Sequence, residues 1–325
     1  KKMINYILIT LHKEKLSTAE LHLLEHCYTE EIISILDKFF LNCGIIVNSE
    51  TFLDSFTLQL FYSNIELTDK ILFHINSIIF TEKQLIDKQI SVIQDEVTLN
   101  DLSEEDIVLY TPLKKFNEDI TNLYQSNFKN DSYIDVFNQQ IKKINVLTYV
   151  GGISQLISRE PIKNQFIPSK SMDMKDNYIT GFISIKTDNV HDLIAGLFTS
   201  FILGKNTESL IFKKYLEPFN LYLGYSIDLS FYNMFLILYL IDTNQTSRTT
   251  LVKNNSKNYL SSIEDLAKYL EPFKTFFIYN DPFLIEFNKL LLNSNIKNTY
   301  TLQEILHFID MISFSKIKEH LKGVG

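Results

Sequence analysis

One order of elements occurs twice along this chain, and that repetition constrains the fold more than any single residue. Residues 4–11 are mostly apolar and rich in β-formers, as a strand is. Ser17 or Thr18 can cap a helix over residues 19–28. Residues 30–41 carry Ile33, Leu36 and Phe40 at helical spacing until Gly44 breaks the pattern. Residues 45–47 and 55–62 read as strands, the second alternating Phe56, Leu58, Leu60 and Tyr62 with mostly polar positions. Residues 67–79 and 81–97 read as helices, the later one with Leu85, Ile86, Ile90, Ile93 and Val97 on one stripe. A helix over 131–143 and a strand over 145–149 follow, closed by a turn at Gly151-Gly152. Residues 160–177 are polar, hold two prolines and show no period. The order then resumes with a strand (178–186), helices (191–203, 210–215) and strands (221–228, 235–241). Helices near 261–269, 281–291 and 302–319 complete it. The pattern predicts an α+β chain of two similar domains, 1–160 and 161–325. Each is expected to be a mixed or antiparallel sheet packed with helices, a duplicated α/β roll.

Composition narrows the classes of function. With 325 residues, 45% hydrophobic and 13% aromatic, the chain can bury two cores. A net charge of −8 and the lack of any dense Lys/Arg cluster argue against nucleic acid as a partner. The longest apolar runs, 194–203 and 229–241, are too short to span a bilayer. Two cysteines, Cys27 and Cys43, imply no disulfide framework. With no secretory signal visible, a cytoplasmic protein is expected.

The chemistry concentrates in His22-Leu23-Leu24-Glu25-His26. Histidines four apart on a helix project from one face and can grip one metal ion. Glu25, three residues from His22, adjoins that face and can reach a water beside the ion without being a ligand. A zinc ion would acidify that water, and the carboxylate could take its proton. Three such residues at fixed spacing arise by chance in roughly one chain in a hundred of this length, so a third donor is needed to decide. The best candidate is Glu96, on the second of the two helices that follow. Glu82 sits early in that helix, and Glu104 and Glu105 lie in an acidic, loop-like stretch. Cys27 points about 100° away from His26 around the helix and reads as a packed residue.

These residues resemble the pitrilysin/insulinase family of zinc metallopeptidases, which joins the inverted motif His-x-x-Glu-His to a helical Glu some seventy residues on. Between the two, the family carries an Asn-Ala-x-Thr-type strand, and this chain reads Asn48-Ser49-Glu50-Thr51. The helix around Gln89 and Glu96 is similar to the family's ligand helix. In the second half, Ser209-Leu210-Ile211-Phe212 followed by Leu223-Gly224-Tyr225-Ser226 is similar to the family's leader helix and Gly-Leu-x-Tyr strand. The resemblance implies one zinc per chain held by His22, His26 and Glu96, with Glu25 as general base. It implies Asn48, Ser49 and Tyr225 beside an extended peptide substrate.

Three departures refine the expectation. Gln89 stands where the family usually has a supporting Glu, so it could hydrogen-bond to the site without adding charge. Ala19-Glu20-Leu21 precedes His22, where the family more often has Gly-x-Ala. The family's second domain usually carries an Arg seven residues before its Tyr, but here that position is Pro218. The chain has only Arg159 and Arg248. Two-subunit members divide these roles, which points to a heterodimer with a homologous subunit that lacks zinc ligands and supplies Arg and Tyr; a homodimer is the lesser alternative. The expected activity is cleavage of short or unfolded peptides, such as leader removal from a small precursor. The rival is a catalytically silent scaffold or peptide-binding subunit of the same fold.

Overall fold

The computed structural model describes residues 4–13, 16–51, 55–99, 128, 133–158, 173–175, 178–184, 189–203, 227–230, 235–241, 266–279, 281–293, 296 and 299–322. They fall into two compact units. The first takes the described residues up to 99, then 128–158 and 299–302; the second takes those of 173–296 and 303–322.

The first unit is a six-stranded antiparallel sheet with helices packed on it. Its strands are β1 (Asn5–His12), β2 (Ile46–Thr51), β3 (Ser55–Tyr62), β4 (Asn145–Val150), β5 (Ile153–Ser158) and β10 (Tyr300–Thr301). They lie in the order β10-β5-β4-β1-β3-β2. The helices are α1 (Thr18–Phe39), α2 (Thr68–Asn76), α3 (Lys83–Leu99) and α4 (Tyr133–Gln140). Alternate residues of β1 and β3, namely Ile7, Ile9, Leu11, Phe56, Leu58, Leu60 and Tyr62, share one core with Leu23, Leu24 and Tyr28 of α1. Ile71 and Ile75 of α2, Ile86 and Ile93 of α3 and Phe137 of α4 enter the same core.

Three local devices set this frame. The β4–β5 hairpin turns through Gly151 (φ 59°) and Gly152 (φ 86°), a pair at positive φ that glycine adopts without strain. Asn5 ties that turn to the next strand: its Oδ1 accepts from Gly151 N at 3.2 Å, and its Nδ2 donates to Ser63 O at 3.2 Å. Asn138 of α4 donates to Phe80 O and accepts from Phe80 N, both at 2.8 Å, pinning the segment that leads into α3.

The structure differs from the sequence reading at several elements. The stretches read over 19–28 and 30–41 are one continuous helix, Thr18–Phe39, capped at Phe40; Thr29 between them gives its hydroxyl to the Glu25 side chain. The polar positions of β3 do not face water: Ser55, Thr57 and Gln59 are buried. Thr10 and Thr57, paired across β1 and β3, satisfy each other through a 3.2 Å hydroxyl contact. Strand β5 escaped the sequence reading because its alternation is short. The helix read over 302–319 is two, α8 (Leu302–Asp310) and α9 (Phe314–Lys322).

The second unit has a four-stranded antiparallel sheet, β6 (Asp173–Lys175), β7 (Tyr178–Ser184), β8 (Ile227–Ser230) and β9 (Phe235–Ile241), in the order β6-β7-β9-β8. Its helices are α5 (Val190–Leu203), α6 (Leu270–Tyr279) and α7 (Asp281–Asn293), with α8 and α9. Phe198 and Phe201 of α5 meet Phe273 of α6 at 5.1 and 5.3 Å between ring centroids. The helix expected at 210–215 lies outside the described residues. Among the described residues, no helix is long and apolar enough to cross a membrane.

Candidate metal centre

The motif helix is firmly started and firmly seated. Ser17 is its cap, forming both halves of a capping box with Glu20: Ser17 Oγ accepts from Glu20 N at 3.2 Å, and Glu20 Oε2 accepts from Ser17 N at 2.8 Å. Leu21, Leu23, Leu24, Cys27 and Tyr28 are all fully buried. That seating fixes the rotation of α1, so His22 and His26 fall together on its half-buried flank.

Their Nε2 atoms lie 3.1 Å apart. Glu96 Oε2 from α3 comes within 3.8 Å of His22 Nε2 and 3.5 Å of His26 Nε2. A tetrahedral zinc with ligands at about 2.0–2.1 Å has donor atoms about 3.3 Å apart, so these three suit such an ion. Helix α3 is aimed by the stripe Ile86, Ile90, Ile93 and Val97 against the core it shares with α1. Lys88 Nζ, 2.6 Å from Glu30 Oε1, adds a clasp between the two helices.

Among the described residues, His22, Glu25 and His26 also form a group of metal-capable donors within 4.8 Å of one another. Two carboxylates therefore compete for the third place. Glu25 is buried, and both of its oxygens are engaged: Oε1 accepts from Thr29 Oγ1 at 2.9 Å and Oε2 from Thr51 Oγ1 at 3.3 Å. Glu25 Oε2 stands 3.8 Å from His26 Nε2. The Glu96 side chain is 43% exposed and can turn onto an ion with little cost. The geometry therefore favours Glu96 as ligand and keeps Glu25 beside it.

Asn48 and Ser49 lie on β2, which stands at the sheet edge beside α1. Thr51 reaches Glu25, so Ser49, two residues earlier, shares the face toward the motif helix. Asn48 is exposed on the opposite face, paired in register with Gln59. Gln89 is buried on α3, two turns before Glu96. Tyr225 and Pro218 lie outside the described residues, as do Glu104, Glu105, Arg159 and Arg248. Sequence reasoning passed over Thr29 and Thr51 as partners of Glu25. The i+4 spacing of Thr29 was the available signal, whereas nothing in the spacing of Thr51 could reveal its contact.

Burial pushes the Cys27 thiol up to about 12, with Glu31, Glu25 and Glu30 adding to the shift through their charge. Burial also raises Glu31 above the ordinary carboxylate range, helped by Glu82 and then Glu30.

No protein-family model matches the sequence, and no curated protein does. Solved structures do match. A protease from Helicobacter pylori has a TM-score of 0.68 at 11% identity, over 99% of this chain and 91% of its own. An M16-like peptidase from Alicyclobacillus acidocaldarius gives 0.65 at 9% identity, over 98% and 90%. A peptidase M16 inactive domain from Pseudomonas fluorescens gives 0.61 at 10% identity, over 99% and 90%. The chain therefore has the α+β fold of M16-like peptidases.

Proposed function

We propose that this chain is the zinc-bearing subunit of a metalloendopeptidase acting on short or unfolded peptides, with leader removal from a small precursor as a fitting task. The supporting observation is the meeting of His22, His26 and Glu96 around one point, with Glu25 fixed beside them. His22 and His26 would hold the zinc through Nε2 and Glu96 through its carboxylate. When bound, zinc supplies a Lewis acid that lets a water yield its proton near neutral pH. Glu25 Oε2 takes that proton and later returns it to the leaving amine. Edge strand β2, with Ser49 on the motif side, would receive the peptide as an added strand. The negative charge that develops on the scissile carbonyl needs a further donor. We assign that donor to a homologous partner subunit carrying Arg and Tyr.

A second reading has its own support. Position 218 is proline where an Arg would be wanted, and one neighbour in fold is described as an inactive domain. On that reading the chain is a silent scaffold or peptide-binding subunit. The test is to purify the chain, measure zinc per chain, and then assay cleavage of unfolded peptides with its partner, with chelator and with Glu25→Gln. Stoichiometric zinc, with cleavage at least about 100-fold slower in Glu25→Gln, supports the peptidase. Cleavage that survives Glu25→Gln overturns the mechanism, and a chain that takes up no zinc favours the scaffold.

A further inference from the structure

Glu25 is held by two hydroxyls from two different elements. Thr29, one turn later on α1, donates to Oε1 at 2.9 Å, and Thr51, at the end of β2, donates to Oε2 at 3.3 Å. Glu25 is buried, its side chain 7% exposed. A threonine inside a helix commonly returns its hydroxyl to the backbone carbonyl four residues earlier. Thr29 gives it to the side chain four residues earlier instead. A carboxylate this buried without donors would carry a large desolvation penalty, so each hydroxyl has a clear energetic reason to be there.

We infer that Thr29 and Thr51 are positioning residues for Glu25, a two-hydroxyl clamp that fixes the orientation of its carboxylate beside the histidines and ties it to the edge strand. The inference rests on the peptidase reading for its catalytic meaning, but not for its existence. With one oxygen bonded to Thr29 and the other to Thr51, intermediate rotations of the carboxylate plane would break a hydrogen bond, and Oε2 is presented at 3.8 Å from His26 Nε2. Thr51 anchors that same oxygen from β2, the strand proposed to receive the peptide. A shift of β2 would therefore be felt directly at the base.

The test is a double-mutant cycle on the whole chain, made metal-free with chelator. Valine has the shape of threonine without the hydroxyl, so Thr29→Val and Thr51→Val remove the bonds and leave the packing. Each is expected to lower Tm by roughly 3–8 °C. In a Glu25→Leu background, whose side chain offers no acceptor, the same changes should have little effect on Tm. Thr→Ser at either position should restore most of the loss. Equal Tm losses in both backgrounds would show that the hydroxyls serve other packing, and the clamp would be wrong whatever the enzyme does. In the assembled enzyme, Thr51→Val should keep one zinc per chain and a nearly unchanged KM, while kcat falls on the order of tenfold or more. An unchanged kcat in both valine variants would overturn the positioning role. Coupling in the Tm cycle together with no cleavage by the wild-type chain would instead leave the clamp standing and remove the peptidase reading.

Discussion

At the scale of residues, the two carboxylates beside the histidines are held differently, and the proposed roles of base and ligand follow that difference. Glu25 is buried and clamped by Thr29 and Thr51, whereas Glu96 is half-exposed on a neighbouring helix. A ligand must move onto an ion, while a base must stay where the proton is. Glu96→Gln is therefore expected to weaken zinc binding on the order of 100-fold or more. Glu25→Gln should leave one zinc per chain, as read by metal analysis after dialysis. Cys27 supplies a second prediction. Its neighbour His26 is a proposed ligand, yet the thiol is fully buried and raised to about 12. It should resist alkylation in the folded chain at pH 8, while the partly exposed Cys43 reacts, and mass spectrometry separates the two. The sign of its contribution to stability follows. The unfolded thiol ionises near 9.0 and the folded one near about 12. The neutral thiol thus favours folding fully below pH 9.0, and that contribution fades as pH rises toward about 12. Relative to Cys27→Ala, the wild-type Tm should fall between pH 9 and pH 11.

At the scale of elements, α1 does two tasks at once. Its buried face fills the core, and its half-buried flank carries the histidines. The capping box at Ser17 begins the helix only one turn before His22. Ser17→Ala should cost about 1 kcal/mol, visible as a lower Tm. Amides at the start of the helix should exchange faster, while zinc stoichiometry is retained. Much of this element was legible in the sequence, because capping residues and a 3.6-residue period are local signals. Its full length was not. The stretches 19–28 and 30–41 read as separate, whereas one helix runs through Thr29, whose hydroxyl goes to the Glu25 side chain, and on to Phe39. The polar positions of β3 show the limit of such local patterns. Alternation tells which residues share a face, but whether the polar face meets water depends on what lies across from it. For Thr57 the partner is Thr10 on β1.

For the molecule as a whole, the first unit draws on both ends of the chain. Strand β10 pairs with β5, and Leu302 N donates to Gly152 O at 2.9 Å, so residues near 300 complete a sheet begun at Asn5. No local pattern marks a two-residue strand, and its place comes only from pairing. The proposed partner belongs to this scale as well. The isolated chain should bind zinc but cleave unfolded peptides at least about tenfold more slowly than the chain with its homologous subunit, since the proposal assigns the carbonyl-binding Arg and Tyr to that subunit. Light scattering of the mixture should then report a 1:1 complex. Full activity from the chain alone would refute the division of labour.

The sequence by itself determined the α+β class, the strands at 4–11 and 55–62, and the helical face that presents His22, Glu25 and His26. Those features rest on short-range periodicity and on four-residue spacing. That the sheet is antiparallel rather than mixed came from the pairing of β1 with β3 and β4. The sequence also pointed to Glu96 as a third donor over Glu82, early in its helix, and Glu104 and Glu105, in an acidic loop-like stretch. Only the tertiary structure brought Glu96 within reach of both histidines, because that distance depends on how α3 packs against α1 through Ile86, Ile93 and their neighbours. Only the tertiary structure, too, placed Thr51 on Glu25. Twenty-six residues of chain separate the two, and the bond exists because β2 folds back along α1.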